Sequence, residues 1–274
     1  MIFETHLLKS PLKNHIESIF HFKGFMPDHS IERVVPTGHL FILFELDGIT
    51  RHTYNNKTLK PNGSFSKVWI SGIHKNYLSI SAPQDSEMFV IQFKPTGAYP
   101  FIHQPIDTLN NLVTDAQKIL GNEILEIHNR ILIAGSSKRK FKIVEGWLSK
   151  RYREEKCADT ELLDVFDKLS KEPIIKYQNA ISEYPKTQKH LIVQFKKYFG
   201  LTPKSFQRIF RFNEILTQIQ GKEQINWSQI TYNWGYTDQS HFIKEFKEFS
   251  GFNPQEFIAK DFNKDNPNFF PLDK

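Results

Sequence analysis

Phe195-Lys196-Lys197-Tyr198-Phe199-Gly200-Leu201-Thr202-Pro203-Lys204-Ser205-Phe206 and Phe246-Lys247-Glu248-Phe249-Ser250-Gly251-Phe252-Asn253-Pro254-Gln255-Glu256-Phe257 are one frame written twice, 51 residues apart. Both copies read F-K-x-aromatic-x-G-hydrophobic-[TN]-P-x-x-F. Aromatic residues spaced three or four apart share one face of a helix and bury it. Gly200 and Gly251 fall where a left-handed cap ends that helix, a conformation that glycine enters without a Cβ penalty. Thr202 and Asn253 then cap a following helix, with Pro203 and Pro254 in its first turn, where an amide hydrogen is not needed. One such match is weak, but two copies in one chain predict a duplicated helical unit.

A short helix and a turn precede each copy. In the second, Trp227 to Asn233 forms the first helix and Gly235 the turn, and Thr237 or Asp238 caps a helix with Phe242, Phe246 and Phe249 inward. In the first, Thr187 is the cap and Leu191, Phe195 and Tyr198 face inward. This is helix-turn-helix geometry, whose second helix enters a major groove. At about 100° per residue, Ser240, Lys244 and Lys247 face away from the second core, flanked by Gln239 and His241. Lys189, Val193 and Lys196 do so in the first, beside Gln188 and Ile192. Amide, hydroxyl and ammonium groups can meet base edges and phosphates. Val193 stands where the second unit has Lys244, so the first helix carries fewer polar readers and is left with apolar contact to thymine methyl groups. Pro203 to about Gln220 joins the units as one helix of roughly 27 Å, which sets the reading helices about one DNA turn apart, near 34 Å. Lys186, Lys189, Lys196, Lys197, Lys204, Arg208 and Arg211 all lie between 186 and 213, where no acidic residue occurs.

The first hundred residues read as β-rich. Leu40 to Leu46 is a short apolar run suited to a strand buried on both faces. Ile49–Tyr54, Ser66–Ser71, Tyr77–Ser81 and Met88–Phe93 follow as strands, with Asn55-Asn56 and Pro61-Asn62-Gly63 as turns. From about Ile106 the period becomes helical. Asn122 is the expected cap of one helix, and a basic amphipathic helix runs from about Lys138 to Lys156 with Phe141, Val144, Trp147 and Leu148 on one side. The fold class is therefore α+β: a β-rich N-terminal barrel or sandwich with helices, then an all-α domain of two helix-turn-helix units joined by a linker helix. The expected boundaries are 1–155, 156–265 and a tail at 266–274.

A length of 274 residues suits two domains. No apolar run approaches the ~20 residues that span a bilayer, and the N-terminus lacks a secretory pattern. Cys157 is the only cysteine, which excludes an internal disulfide and a cysteine-rich zinc site and suits a reducing cytoplasm. The formal net charge of +6 suits phosphate-rich partners but decides little by itself.

The stretch Trp227 to Phe257 closely resembles the AraC/XylS-type signature, in which the second unit ends in G-[FY]-x-D-Q-S-x-F-x-x-x-F-K-x-x-x-G-x-x-P. Thr187 to Phe206 is similar but weaker: Val193 replaces a usual arginine, and Ile181 stands where an alanine is expected. Val35-Pro36-Thr37-Gly38-His39, Ser71-Gly72-Ile73-His74 and Phe93-Lys94-Pro95-Thr96-Gly97-Ala98 resemble the companion domain of one AraC-type subgroup, without its acidic residue at the Thr37 position. The resemblance implies a cytoplasmic transcriptional regulator: a sensory or dimerising domain attached to a domain that binds double-stranded DNA. Its expected DNA contacts are Gln188, Lys189, Ile192 and Lys196 in the first unit and Gln239, Ser240, His241, Lys244 and Lys247 in the second. It further implies a small-molecule effector, a homodimer and contact with RNA polymerase, and no membrane.

Other readings stay open at this stage. A fold of this kind that had lost DNA binding would act as a protein-interaction module. Catalysis is not expected, since no triad surrounds His241. Nor is a metal or cofactor: His39, His52, His74 and His103 are scattered without an H-x-H pair. Phe41, Phe44, Trp69, Tyr77, Phe89 and Phe93 would line an effector pocket or pack a core. The basic helix is a dimer contact, a phosphate contact or a packed linker, with dimer contact slightly preferred.

Overall fold

The structure, a computed structural model, describes residues 1–222, 224–259 and 268–273. Its first part comprises strands β1 (Ile2–Thr5), β2 (Ile16–Phe25), β3 (Ile31–Val34), β4 (Phe41–Glu45), β5 (Arg51–Tyr54), β6 (Pro61–Phe65), β7 (Val68–Ser71), β8 (Leu78–Ser81), β9 (Ser86–Phe93) and β10 (Val113–Asp115). Single-turn helices α1 (Leu12–His15), α2 (Tyr99–Ile102) and α3 (Gln117–Leu120) lie among them, and α4 (Glu123–Leu132) and α5 (Ser137–Arg151) follow. One sheet has the order β1-β2-β9-β4-β7-β10. The other runs β11-β3-β8-β5-β6, with β11 (Phe269–Pro271) returning from the far end of the chain.

Strand alternation explains the first core. Ile42, Phe44, Phe89, Ile91 and Phe93 are buried on one face of the larger sheet, where Phe141 of α5 meets Phe89 at 5.2 Å. Trp69, Met88 and Val90 point to the opposite face and gather Phe20, Phe22, Phe41, Leu43 and Phe65, all half-buried, into a second apolar cluster. Phe141, Val144, Trp147 and Leu148 are buried, so the apolar side of α5 is used within the chain. That favours the packed-linker reading for its apolar side, while Lys138, Arg139, Lys142 and Lys150 stay exposed on the other.

Local chemistry moved several expected boundaries. Pro61-Asn62-Gly63 opens β6 instead of making a turn, with Pro61 opposite Tyr54 at a bulged end of the ladder, a place where a missing amide donor is tolerated. The turn is made earlier by Asn55, whose Oδ1 accepts from the amides of Lys57 and Thr58. Asn122 precedes α4 without capping it, because its Oδ1 accepts from the Gln117 side chain. The basic helix ends at Arg151, short of the expected Lys156.

The second part is helical: α6 (Thr160–Lys171), α7 (Tyr177–Ile181), α8 (Gln188–Phe199), α9 (Pro203–Ile219), α10 (Trp227–Asn233), α11 (Gln239–Ser250) and α12 (Pro254–Ala259). The duplicated frame behaves as its chemistry demands. Thr187, Thr202 and Asp238 accept from the amides of His190, Ser205 and His241, and Asn253 exchanges reciprocal bonds with Glu256. Gly200 and Gly251 end α8 and α11 at φ +86° and +74°.

The two parts share one buried core. Asn213 of α9 donates to the Pro36 carbonyl at 2.9 Å, and Tyr99 packs on Tyr198 with ring centroids 4.7 Å apart. The expected domain end at 265 lies outside the described residues. Of the segment read as a tail, 269–271 pair with β3, and Phe270 is fully buried against Phe257.

Candidate nucleic-acid interface

Two helices, α8 and α11, present the residues singled out from the sequence. Gln188, Lys189 and Lys196 are exposed on α8 and Ile192 is half-buried; Gln239, Ser240, His241, Lys244 and Lys247 are all exposed on α11. Val193 is 52% exposed, so an apolar side chain lies in the middle of the outward face of α8. The inward residues Leu191 and Phe195, and Phe242, Phe246 and Phe249, are buried. The two units are joined by α9, whose 17 residues span about 25 Å at 1.5 Å per residue, and α11 packs on it at Arg208, Arg211 and Phe212.

The turns are fixed by side chains. The Tyr184 hydroxyl meets His190 Nδ1 at 2.8 Å in the first unit. In the second, Trp234 donates its indole N–H to Gln218 of α9 at 2.6 Å. Gly235, at φ +67°, supplies the left-handed turn between α10 and α11.

The sequence reading missed Glu245. This carboxylate is buried on the side of α11 that faces α9. It accepts from Arg208 Nε at 2.7 Å, Arg211 at 2.6 Å and the Tyr236 hydroxyl at 2.7 Å. Burial pushes its carboxyl group up, but the Arg211 charge and the three hydrogen bonds outweigh that and hold it below the ordinary carboxylate value. Tyr236 moves up, through burial and then the Glu245 charge. Arg208 also pairs with Glu248 at 2.7 Å, and Arg211 lies over the Tyr236 ring at 4.0 Å. Two of the seven cations counted between 186 and 213 are therefore neutralised from outside that window. Lys197 is a third exception, turned over the Tyr99 and Tyr198 rings. The arginines hold the second reading helix on the linker. A carboxylate one step from the Phe242/Phe246/Phe249 stripe was the available signal.

A cleft of about 580 Å³ opens between the two units. Its walls include residues 173–175 ahead of α7 and His241, Lys244 and Glu245 of α11, and Lys204, Gln207, Arg208 and Arg211 of α9 line it as well. Among the described residues, Lys204 and Lys244 make no ion pair within 4.0 Å, and both are exposed.

The other candidates disperse. His39 donates to the Phe93 carbonyl, His74 bonds Ser71, and His103 meets the Pro100 and Arg151 carbonyls. Burial pushes His74 down to about 4 and lowers His39 as well, so both are neutral near pH 7. Among the described residues no group of three or more His, Cys, Asp and Glu gathers as a metal site. Cys157 lies 3.4 Å from the Tyr152 hydroxyl and 3.8 Å from His15. The expected effector aromatics divide: Phe44, Phe89 and Phe93 are fully buried core, Phe41 and Trp69 lie on the other face, and Tyr77 stacks on Arg33. Among the described residues no helix is long and apolar enough to cross a membrane.

Residues 5–115 match a domain of unknown function (DUF6597), and residues 184–260 match a helix-turn-helix domain. No curated protein matches the chain. Among solved structures it is similar to ToxT from Vibrio cholerae O395, at 14% identity and a TM-score of 0.44 over 94% of this chain and 97% of that one. It is similar also to unsaturated fatty acid bound wild-type ToxT from Vibrio cholerae strain SCE256, at 15% identity and 0.42 over 89% and 96%. With its repeated caps, bare reading faces and matched signature, the segment 184–260 is an AraC-type helix-turn-helix domain, the DNA-binding part of a transcription regulator.

Proposed function

We propose that this chain binds a specific duplex sequence with both units at once and that its N-terminal domain governs that binding. One observation carries the reading: two capped helices with exposed outward faces, polar on α11 and interrupted by Val193 on α8, are joined by a single linker helix. The second helix, through Gln239, Ser240, His241 and Lys244, supplies most base discrimination. Lys247 meets phosphate. The first, through Gln188, Lys189, Ile192 and Lys196, chiefly positions the protein, because Val193 has no polar reader to offer. A sugar–phosphate strand between the two contacts crosses the cleft, with Lys204 as its cation. An effector or protein partner acts at the N-terminal domain, where Phe20, Phe22, Phe41 and Leu43 remain half-buried on one sheet face. Homodimerisation and contact with RNA polymerase belong to the same proposal, and no catalytic role is proposed.

Selection of binding sites from a random duplex library at near-physiological salt tests this. Recovery of two contacts about one helical turn apart supports it. A single short motif would reduce the Val193 unit to a phosphate clamp, and no enrichment would favour a protein-interaction module.

A further inference from the structure

The duplicated glycines have a second role that helix termination does not explain. At Gly200 the cap of α8 faces the N-terminal domain: Asn110 Nδ2 donates to the Gly200 carbonyl, and Ile73 and Ile106 close around the glycine, so that an added methyl would lie 3.0 Å from each. At Gly251 the cap of α11 meets the same domain. Arg33 of β3 donates from its guanidinium to the Ser250 carbonyl at 3.1 Å, while an added methyl would collide with that guanidinium and the Tyr77 ring. Arg33 is buried between Tyr77 and Phe252, 4.2 and 4.3 Å from their ring centroids. It forms no ion pair among the described residues, and its Nε has no hydrogen-bond partner. A cation at a helix C-terminus meets the negative end of the helix dipole, and the two rings add a cation–π sandwich.

We infer that Arg33 and Asn110 are positioning residues for DNA recognition: the N-terminal domain grips both reading helices at their equivalent caps and so fixes the spacing and angle between them. The inference rests on the DNA-binding reading above. Positioning is favoured over occlusion because the grip is at the C-terminal ends, while Gln188, Lys189, Gln239, Ser240 and Lys244 stay exposed with the domains docked. The linker holds α11 through the Glu245 network and Phe212 and meets α8 through Phe206, whereas the C-terminal caps of both helices are closed from the other domain, by Asn110 and residues 73 and 106 at one and by Arg33 and Tyr77 at the other.

The test uses the full chain and a set of duplexes in which the two selected contact motifs stand at their preferred separation or one base pair closer or farther. One base pair changes the separation by about 3.4 Å and the facing by about 35°. Arg33→Met, Asn110→Asp and the double variant are titrated on each duplex, and their thermal unfolding is recorded. Asn110→Asp keeps the shape but offers no donor to the Gly200 carbonyl. We expect the wild-type preference for the best spacing to fall about fivefold or more in the double variant, within the usual range for coupled sites. Affinity for each isolated motif should stay unchanged. A variant that melts like wild type yet keeps its spacing preference overturns the inference, and so does an equal loss on every duplex, which marks a merely structural role. Wild-type protein that binds none of the duplexes overturns the DNA-binding reading itself.

Discussion

Removing the Glu245 carboxylate should loosen the second reading helix on the linker, leaving the Phe212 contacts with Phe246 and Phe249 to hold it. Glu245 is 3% exposed, and two guanidinium groups and a phenol converge on it. Deleting one member of a buried ion pair typically costs about 3–5 kcal/mol, because the partner's charge is left buried. Here the partners are unequal: the Arg211 side chain is 16% exposed, whereas that of Arg208 is 32% exposed and keeps Glu248. Glu245→Ala therefore lies at the lower end, about 3 kcal/mol. Glu245→Gln, whose amide oxygen still accepts, loses roughly half of that. Arg211→Ala follows at about 2 kcal/mol, and Arg208→Ala at under about 1 kcal/mol, since solvent screens a partly exposed pair. Urea titrations followed by tryptophan fluorescence resolve these differences, with Trp227 and Trp234 reporting from the same unit. If Arg208→Ala costs as much as Glu245→Ala, or Glu245→Ala costs under about 1 kcal/mol, the network is not what seats α11.

Lys244→Ala should weaken specific binding by about 1–3 kcal/mol and Val193→Ala by much less; equal losses in a binding titration would remove the proposed asymmetry between the units. Lys196→Ala and Lys204→Ala should each weaken all sequences alike and lower the slope of log K against log salt by about one, whereas a base-specific loss would contradict the phosphate assignment. The depressed Glu245 carboxyl value makes its contribution complete above the ordinary carboxylate value and lost as pH falls through the lower folded value. Acid titration should thus destabilise wild type more steeply than Glu245→Gln, and parallel curves would argue against the network. Gly200→Ala should cost about 1–3 kcal/mol more than Gly235→Ala: both glycines have positive φ, but only at Gly200 does an added methyl meet neighbours. Equal urea midpoint shifts would show that the close approach at Gly200 carries no energy.

What the sequence made legible is what local chemistry determines. The caps at Thr187, Thr202 and Asp238, the glycine terminations and the inward Leu191, Phe195, Phe242, Phe246 and Phe249 follow from spacing, because each interaction closes within one turn; on α8 the third inward ring is Phe199 and not the expected Tyr198, which packs half-buried on Tyr99 of the other domain. β4 and β9 were readable for the same reason. β1, β2 and β3 were not: β2 mixes Glu17, Ser18, His21 and Lys23 into its apolar pattern, since His21 bonds Ser137 and Glu87 and Lys23 pairs with Glu87. The roles of Glu245 and Arg33 were hidden for a stronger reason, although the place of Glu245 beside the aromatic stripe was in view. Their partners lie 34 and 37 residues away for the one and 217 for the other, so only tertiary structure reveals that two linker arginines are already neutralised and that Arg33 lies between two aromatic rings.

Two of the three N-terminal motifs converge on one place. Pro36 receives Asn213, Gly38 lies against Phe206, and Ile73 borders Gly200. Gly97 is needed for a different approach, to the His15 backbone behind α2. The residues that mark the companion domain thus include those that touch the duplicated unit, and they touch it behind its reading faces. Leverage gives such contacts reach. A 12-residue helix is about 18 Å long, so a tilt of about 3° at the Gly251 cap displaces Gln239 and Ser240 by about 1 Å, a sizeable fraction of a hydrogen-bond length. A modest shift of β3 or of the 106–110 turn would therefore be felt at the base edges without either domain leaving the other.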